Sequence, residues 1–296
     1  MKRRRYRGKN ENTIRKQMVW LAAALASVCI LIMMSLTICQ VAKLHVKGKK
    51  AKKAAQQKEV TATPLVTVTP TETPSVTPIP TSNPENRIYS YLQGPKSWNR
   101  RLDWSGEWGE TALDGGYFGG FGCGLCCLAN IYSSETPYQC SPLDMYGYVK
   151  KHTGYSGGMA IEWGYMRRTL SSLGFECEVV KKPSDYKKFV SDIRKCESCI
   201  ALISSQDSTV YWKNTPGHYV TLFQYDEKTQ TVFLADSGDP DHNRQRISLK
   251  KIYRSLKSAS NWQYLVVGEY HVKKDHWKQK ETEGSWVKPE YLLKPS

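Results

Sequence analysis

Residues 18–42, MVWLAAALASVCILIMMSLTICQVA, contain no charged side chain. As a helix that rises ~1.5 Å per residue, this segment is long enough to cross a hydrocarbon core of roughly 30 Å. A cleaved signal peptide is the alternative, but the apolar run exceeds the usual signal length and no small-x-small site follows it. Ile38 occupies the position before Cys39 where a lipoprotein signal needs a small residue. We therefore predict a transmembrane helix at 18–42, with Cys29 and Cys39 as ordinary residues of that helix.

The segment after this helix indicates on which side of the membrane the remainder lies. Basic residues flank the helix on both sides, so counting Lys and Arg gives no orientation. Residues 60–84 repeat Thr-x-Thr-Pro, a composition that cannot bury a core and is typical of extended stalks. We predict a basic cytoplasmic tail at 1–17, a basic juxtamembrane segment and disordered stalk at 43–85, and an extracellular domain at 86–296. The protein would be a single-pass protein of the cell membrane.

The formal net charge of +16 is unevenly distributed along the chain. Residues 1–85 contain 15 Lys/Arg and 4 Asp/Glu, whereas residues 86–296 contain 28 and 23. The basic excess therefore flanks the predicted transmembrane helix, where it can contact anionic lipid headgroups. The remainder has no zinc-finger, helix-turn-helix or RNP-like pattern, so we do not expect nucleic acid as a partner.

The domain at 86–296 is long enough for one core, and its first half has helix signals. Ser141 to Asp144 is a capping-box start with proline at the first helical position, and the helix should end at Gly154. Two more helices are predicted, one within 159–174 and one that begins with Ser184 as its cap. The second half has short segments rich in β-branched and aromatic residues, which predict strands at 199–205, 218–225, 231–236 and 262–272. The fold class is therefore α+β.

The two middle strands are separated by DEKTQ, a loop length that suits a β-hairpin. If Tyr225 pairs near Thr231, then His218 and Asp236 lie at the same open end and on the same face. A shift of one residue in this pairing would place the two side chains on opposite faces.

The stretch GFGCGLCCLAN, residues 120–130, has three cysteines just before a predicted helix. Cys123 should lie in the first helical turn, where the helix dipole and free amide groups favour an anion and should lower the thiol pKa. Gly122 and Gly124 should leave room for a substrate carbonyl to approach the sulfur. Cys126 and Cys127 lie a turn further on and are expected to be small buried residues.

Two segments, GFGCGLCCLANIY and GHYVTLFQYDEKTQTVFLADSGDP, together resemble cysteine peptidase family thirty-nine. These papain-like enzymes are related to the leader-cleaving domains of bacteriocin exporters. The resemblance covers roughly residues 103–270 and includes the order of the nucleophile helix, the His strand and the Asp strand. It implies a papain-like fold with Cys123 as nucleophile, His218 as general base and acid, and Asp236 as the residue that orients the imidazole. It implies no cofactor.

The sequence departs from this family at the oxyanion hole. Papain-like enzymes usually have a glutamine about six residues before the cysteine, where this chain has Tyr117. Gln93 and Gln139 are distant in sequence, so Tyr117, Trp104 or Trp108 would have to supply the donor.

The sequence leaves two alternatives open for the partners of the nucleophile. Asp239 could be the orienting acid in place of Asp236. His242 is the alternative base in place of His218.

Two Cys-x-x-Cys pairs, Cys123/Cys126 and Cys196/Cys199, raise the alternative of a metal site. About 70 residues and several predicted helices separate the pairs, so we expect no metal. For Cys196/Cys199 a local disulfide or two buried thiols is the simpler interpretation.

The sequence as a whole predicts a membrane-anchored cysteine peptidase or amidase that acts on a peptide or protein. The alternative is an inactive papain-like surface module that binds peptide or cell-wall material.

Overall fold

The computed structural model describes residues 83–207, 211–280 and 282–293. The predicted tail and transmembrane helix, and nearly all of the predicted stalk, lie outside these residues. Within the described ranges, no helix combines the length and the apolar character that crossing a membrane requires. The membrane anchor at 18–42 therefore stays a prediction.

The first half of the described chain is mainly helical, and one predicted helix start is confirmed in detail. Its elements are α1 (Pro95–Asn99), β1 (Ala112–Leu113), β2 (Gly116–Tyr117), α2 (Phe118–Phe121), α3 (Cys123–Glu135), α4 (Pro142–Thr153) and α5 (Trp163–Ser172). The Ser141 hydroxyl accepts from the Asp144 N–H, and the Asp144 carboxylate accepts from the Ser141 N–H, which is the predicted capping box at the start of α4. Gly154 follows α4 with a φ of 81°, a left-handed conformation that glycine adopts at little cost.

The second half contains the main sheet, in which all pairings are antiparallel. Its elements are β3 (Phe175–Val180), α6 (Tyr186–Lys195), β4 (Ser198–Ile203), β5 (His218–Asp226), β6 (Thr231–Ala235), β7 (Gln245–Ser248), α7 (Leu249–Ser255), β8 (Tyr264–Tyr270) and α8 (Glu290–Leu293). The strand order is β3-β8-β4-β5-β6-β7. The mixed helix and sheet content agrees with the α+β prediction.

Three differences from the sequence prediction have local causes. Strands β3 and β7 are the edges of the sheet and are partly exposed, so they lack the apolar runs by which the inner strands were recognised. Helix α7 is short, and its charged residues interrupt the pattern formed by its three buried residues, so the sequence gives no clear helix signal there. The cap of α6 is Asp185 rather than Ser184, because its carboxylate accepts from the Lys187 N–H at 2.9 Å.

Side chains of the central strands alternate between two hydrophobic clusters, one on each face of the sheet. On one face, Tyr219 and Phe223 of β5 belong to the cluster that contains α3. On the other, Val220 and Leu222 belong to the cluster that contains buried residues of α6 and α7. The sheet therefore has helices on both faces, and α3 packs along β5.

The register of the β5–β6 hairpin agrees with the sequence prediction where it positions the site. Thr221 pairs with Ala235, which is the register that pairing Tyr225 with Thr231 would give. Nearer the loop the pairing shifts by one residue, and Asp226 pairs with Thr231. This irregularity is confined to the loop end of the hairpin, so the two strands keep the predicted alignment at the open end.

Candidate active site

Cys123 is the first residue of α3 and is 7% exposed. The glycines beside it have a different role from the one predicted. A Cβ on Gly122 would lie 2.3 Å from the Phe118 ring, and one on Gly124 would lie 2.3 Å from Ile161 Cγ2. These glycines are therefore required because neighbouring side chains occupy the space, and the prediction that they leave room for substrate is wrong.

His218 begins β5, and Asp236 directly follows β6 at the adjacent end of the hairpin. Nε2 of His218 lies 2.7 Å from Oδ1 of Asp236, and the Asp236 side chain is fully buried. Since Nε2 is engaged with the carboxylate, Nδ1 is the ring nitrogen that remains to face a nucleophile. His218 also interacts with the Cys123 thiol, since each of the two residues shifts the pKa of the other. The structure thus brings the three predicted residues together in the order Cys123, His218, Asp236.

The ionisation of these three residues is coupled. Burial raises the pKa of Cys123, but the hydrogen bond and the charge of His218 outweigh burial and lower it below the ordinary thiol value. Burial lowers the pKa of His218, but the charge of Asp236 and the bonds to Asp236 and Cys123 raise it to about 10. The pKa of Asp236 is held well below its usual range despite burial, mainly by His218. The lowered thiol pKa and the raised imidazole pKa both favour the thiolate–imidazolium form over the neutral pair.

Asp236 is held by groups that the sequence analysis missed. Trp212 Nε1 donates to its Oδ2 at 2.8 Å, and the Gly238 N–H donates to its Oδ1 at 3.0 Å. The backbone N–H of Asp236 donates to Asn243 Oδ1 at 3.0 Å. No local pattern identifies these partners, although Trp212 lies only six residues before His218. Together they orient a buried carboxylate toward the imidazole.

The two alternative residues, Asp239 and His242, lie on the far side of Asp236. His242 Nδ1 is 3.7 Å from Asp236 Oδ2 and 3.5 Å from Asp239 Oδ2. The ring of His242 stacks on Tyr211, with centroids 3.9 Å apart. Asp236, rather than Asp239, is the carboxylate that contacts His218, and His242 contacts that carboxylate.

The predicted sources of the oxyanion donor are not supported by the geometry. Each indole has a single N–H: that of Trp108 donates to Leu92 O at 2.8 Å, and that of Trp104 donates to Tyr291 Oη at 3.2 Å. Tyr117 is 71% exposed. Both indole donors are therefore already used elsewhere.

Gln93, which is 30 residues before Cys123 in sequence, is close to the nucleophile segment in the fold. Its Nε2 donates to Gly119 O at 2.9 Å, and its Oε1 accepts from Ser237 Oγ at 2.7 Å. Gly119 lies in α2, the short helix that precedes Cys123, and Ser237 directly follows Asp236. A carboxamide has two N–H hydrogens, of which Gly119 takes one. Gln93 therefore joins the segment before Cys123 to the segment after Asp236.

The other described cysteines differ from Cys123 in their ionisation. Burial raises the pKa of Cys126 and Cys127 well above the ordinary thiol value, and raises that of Cys196 to about 12. Burial also raises the pKa of Cys140, Cys177 and Cys199. Among the described residues, Cys123 is the one thiol whose pKa is lowered. In the same ranges, no group of three His, Cys, Asp or Glu side chains could hold a metal ion.

A cavity of about 600 Å³ lies beside the His218–Asp236 pair. It is lined by the segment before His218, residues 211–217, and by Gly238, Asp239 and His242. A volume of this size is typical of sites for small molecules or short peptide segments. The cavity therefore gives a ligand a place next to the imidazole.

No protein-family model matches the chain, and no curated protein matches it. Solved structures that are similar to it include the following two. One is the peptidase domain of Streptococcus ComA, a bifunctional ABC transporter involved in a quorum-sensing pathway, with a TM-score of 0.35, 14% identity, and coverage of 49% of this chain and 90% of that one. The other is described as a C39-like peptidase from Bacillus anthracis, with a TM-score of 0.36, 12% identity, and coverage of 54% and 92%. The function proposed below depends on the geometry of the site.

Proposed function

We propose that the domain is a cysteine peptidase, or a related thiol amidase, that cleaves a peptide or amide bond through a thioester intermediate. One observation carries this proposal: a thiol at a helix start interacts with an imidazole that lowers its pKa, and Nε2 of that imidazole lies 2.7 Å from a buried carboxylate. This arrangement activates a thiol as a nucleophile and supplies a proton to the leaving group. A metal or other cofactor has no part in the proposed reaction.

In the proposed mechanism, the Cys123 thiolate attacks the carbonyl carbon, and protonated His218 donates its Nδ1 proton to the leaving amine. The acyl group remains on Cys123 as a thioester. Neutral His218 then removes a proton from water, which attacks the thioester and releases the acid. Asp236 holds the imidazole by Nε2 throughout, so that Nδ1 keeps facing the sulfur.

Two groups are proposed to stabilise the oxyanion. The first backbone amides of a helix have no intrahelical partner, and Cys123 is the first residue of α3. The second donor would be the remaining Nε2 hydrogen of Gln93, since its other hydrogen bonds to Gly119 O. Gln93 would thus replace the glutamine that the family has six residues before the cysteine.

An inactive binding module is the second candidate, and one feature favours it. The position of the family glutamine is occupied by Tyr117, an exposed residue, and Cys123 itself is 7% exposed. A domain that kept the cleft but lost an oxyanion donor would bind peptide or cell-wall material without cleaving it.

The experiment that tests the proposal treats the protein with a cysteine-directed peptide probe and maps the labelled residue by mass spectrometry. Cys127→Ala is the matched control for Cys123→Ala, because it removes a neighbouring buried thiol from the same helix. The same variants are then incubated with a peptide library whose products are identified. We expect labelling and turnover to be lost with Cys123→Ala alone. Labelling without any turnover by the wild type would favour the binding module.

We also propose that residues 18–42 hold this domain at the outer face of a cell membrane. Support comes from the uncharged 25-residue run and from the Thr-Pro stalk that follows it. Contact of the basic flanks with anionic lipid would add to the anchoring.

A further inference from the structure

Two cysteines lie three residues apart in the first turn of α3. Cys123 is the first residue of this helix and Cys126 is the fourth, at the end of the first turn. Both are free thiols, and the proposed hydrolysis uses Cys123 alone. We propose that this pair is a thiol-oxidation site, at which a hydroperoxide oxidises Cys123 and Cys126 then closes a reversible disulfide with it. The disulfide would block the proposed nucleophile, so the inference rests on the proposed function for its consequence, although not for its chemistry.

The helix geometry allows this disulfide. Residues i and i+3 of an α-helix have Cα atoms about 5 Å apart, within the range of about 4.4–6.8 Å found across disulfides. Their Cβ atoms, which start about 5–6 Å apart, must approach by roughly 1–2 Å. The first turn can absorb this shift, because its leading amides have no intrahelical partner. A hydrogen bond from the Cys126 N–H to Gly122 O, of 2.9 Å, marks the start of the regular helix.

The two thiols have environments that set the order of their reactions. Cys123 is 7% exposed and interacts with His218, which favours its thiolate. Cys126 is fully buried beside Ser237 and stays protonated. An oxidant from solution should therefore react first with the Cys123 thiolate. Cys126 should remain a thiol until the sulfenic acid has formed on Cys123.

Cys127 is the competing partner, and its position makes it a matched control. It lies one residue further along α3, inside the hydrogen-bonded part of the helix, and its thiol lies beside Thr221 of β5. A disulfide between Cys123 and Cys127 would require breaking helical hydrogen bonds beyond the first turn. Bonding to Cys126 would disturb only the first helical hydrogen bond, from its own N–H to Gly122 O.

The chemistry balances with a hydroperoxide as oxidant and a dithiol as reductant. The Cys123 thiolate attacks the terminal oxygen of the hydroperoxide, the O–O bond breaks, and the released alkoxide or hydroxide takes a proton, which leaves a sulfenic acid. The Cys126 sulfur then attacks the Cys123 sulfur, the S–O bond breaks, and the hydroxide departs as water with the Cys126 proton. The two sulfurs have then given two electrons to oxygen. A dithiol reverses the step by thiol–disulfide exchange.

The test uses the full-length protein, treated at neutral pH with one equivalent of hydrogen peroxide and then mapped by mass spectrometry. The wild type should show a peptide pair linked through Cys123 and Cys126, with a mass lower by two hydrogen atoms. Dithiothreitol should restore both thiols. Cys127→Ser should form the same link, whereas Cys126→Ser should lose it and accumulate a sulfenic acid on Cys123 that dimedone traps.

The outcomes separate this inference from the proposed function. A link from Cys123 to Cys127, or a dimedone-trapped Cys123 in the wild type with no link at all, would overturn the pairing and leave the nucleophile proposal standing. If Cys126→Ser gives no dimedone adduct on Cys123, that thiol is not selectively reactive, which counts against both proposals. Because the readout is a cross-link, it requires no knowledge of the substrate.

Discussion

Replacing Asp236 with asparagine should lower the pKa of His218 and so reduce the population of the thiolate–imidazolium pair that Cys123 and His218 form. The carboxylate lies 2.7 Å from His218 Nε2 and is fully buried, so asparagine preserves the side-chain volume but removes the charge. An amide can also present its NH2 group to Nε2, which favours the wrong tautomer of the ring. We expect the variant to fold, because the Asn243 contact involves the backbone N–H of residue 236 and is retained.

The size of the effect follows from the pKa of His218. The fold raises it from 6.5 to about 10, and a difference of this size corresponds to about 5 kcal/mol. Asp236 is the main cause of the increase and Cys123 contributes less, so most of this interaction free energy should be lost with the carboxylate. The thiolate–imidazolium pair should therefore become roughly 10²- to 10³-fold less populated near neutral pH.

Alkylation of Cys123 by iodoacetamide measures this population directly, because the thiolate is the reactive form. In the wild type the rate should stay high through neutral pH and into the mildly acidic range. In Asp236→Asn the midpoint of the plot of alkylation rate against pH should move toward the ordinary thiol pKa of about 8.5. Asp239→Asn is the matched control, since Asp239 lies in the same loop, is 45% exposed, and contacts His242. Superimposable pH profiles for Asp236→Asn and the wild type would refute the reasoning.

The pH dependence of stability gives a second measure of the same interaction. Since folding raises the pKa of His218, its contribution to stability is complete below about pH 6.5 and is lost as the pH rises toward 10. Because folding lowers the pKa of Cys123, the contribution of the thiolate grows over the lower part of this interval and offsets that loss. The Tm of the wild type should therefore fall mainly above the ordinary thiol pKa of about 8.5. The Tm of Asp236→Asn should fall less, because its imidazole has lost the partner that raised the pKa.

Further predictions concern other residues. His218→Ala should abolish acylation, and the double variant with Asp236→Asn should differ from it by only a small factor, because the residues act as a unit; additive losses in measured turnover would contradict this. Gln93→Leu should slow turnover of a cleaved substrate by roughly 10²-fold but leave iodoacetamide alkylation nearly unchanged, whereas a merely structural role would affect both. His242→Gln should lower the Tm more at pH 5 than at pH 9, because the interaction of His242 with Asp236 raises the pKa of His242; an equal loss of Tm at the two pH values would contradict an ion pair between these residues. Protease added to intact cells should release a soluble fragment that begins within 43–85, and protection until lysis would place the domain inside the cell.

Several features of the site could be predicted from the sequence because they depend on neighbours along the chain. The order of Gly122, Cys123 and the following helix is local, so a thiol at a helix start could be identified directly. The five-residue loop DEKTQ sets the alignment of the two strands, and the alternation of side chains then places His218 and Asp236 on one face. The capping box at Ser141 was predicted for the same reason, since its two hydrogen bonds join residues three apart.

Other features were decided only by the tertiary structure, because they depend on contacts between segments that are distant in the chain. Gln93 meets Gly119 and Ser237 through hydrogen bonds that span 26 and 144 residues. The glycines that flank Cys123 are required by Phe118 and Ile161, whose packing no local pattern specifies. A sequence pattern identifies the kind of residue that a turn or strand needs. It does not identify which side chain fills a given space in the core or accepts a given hydrogen bond, because close packing and the pairing of buried polar groups involve residues from distant segments.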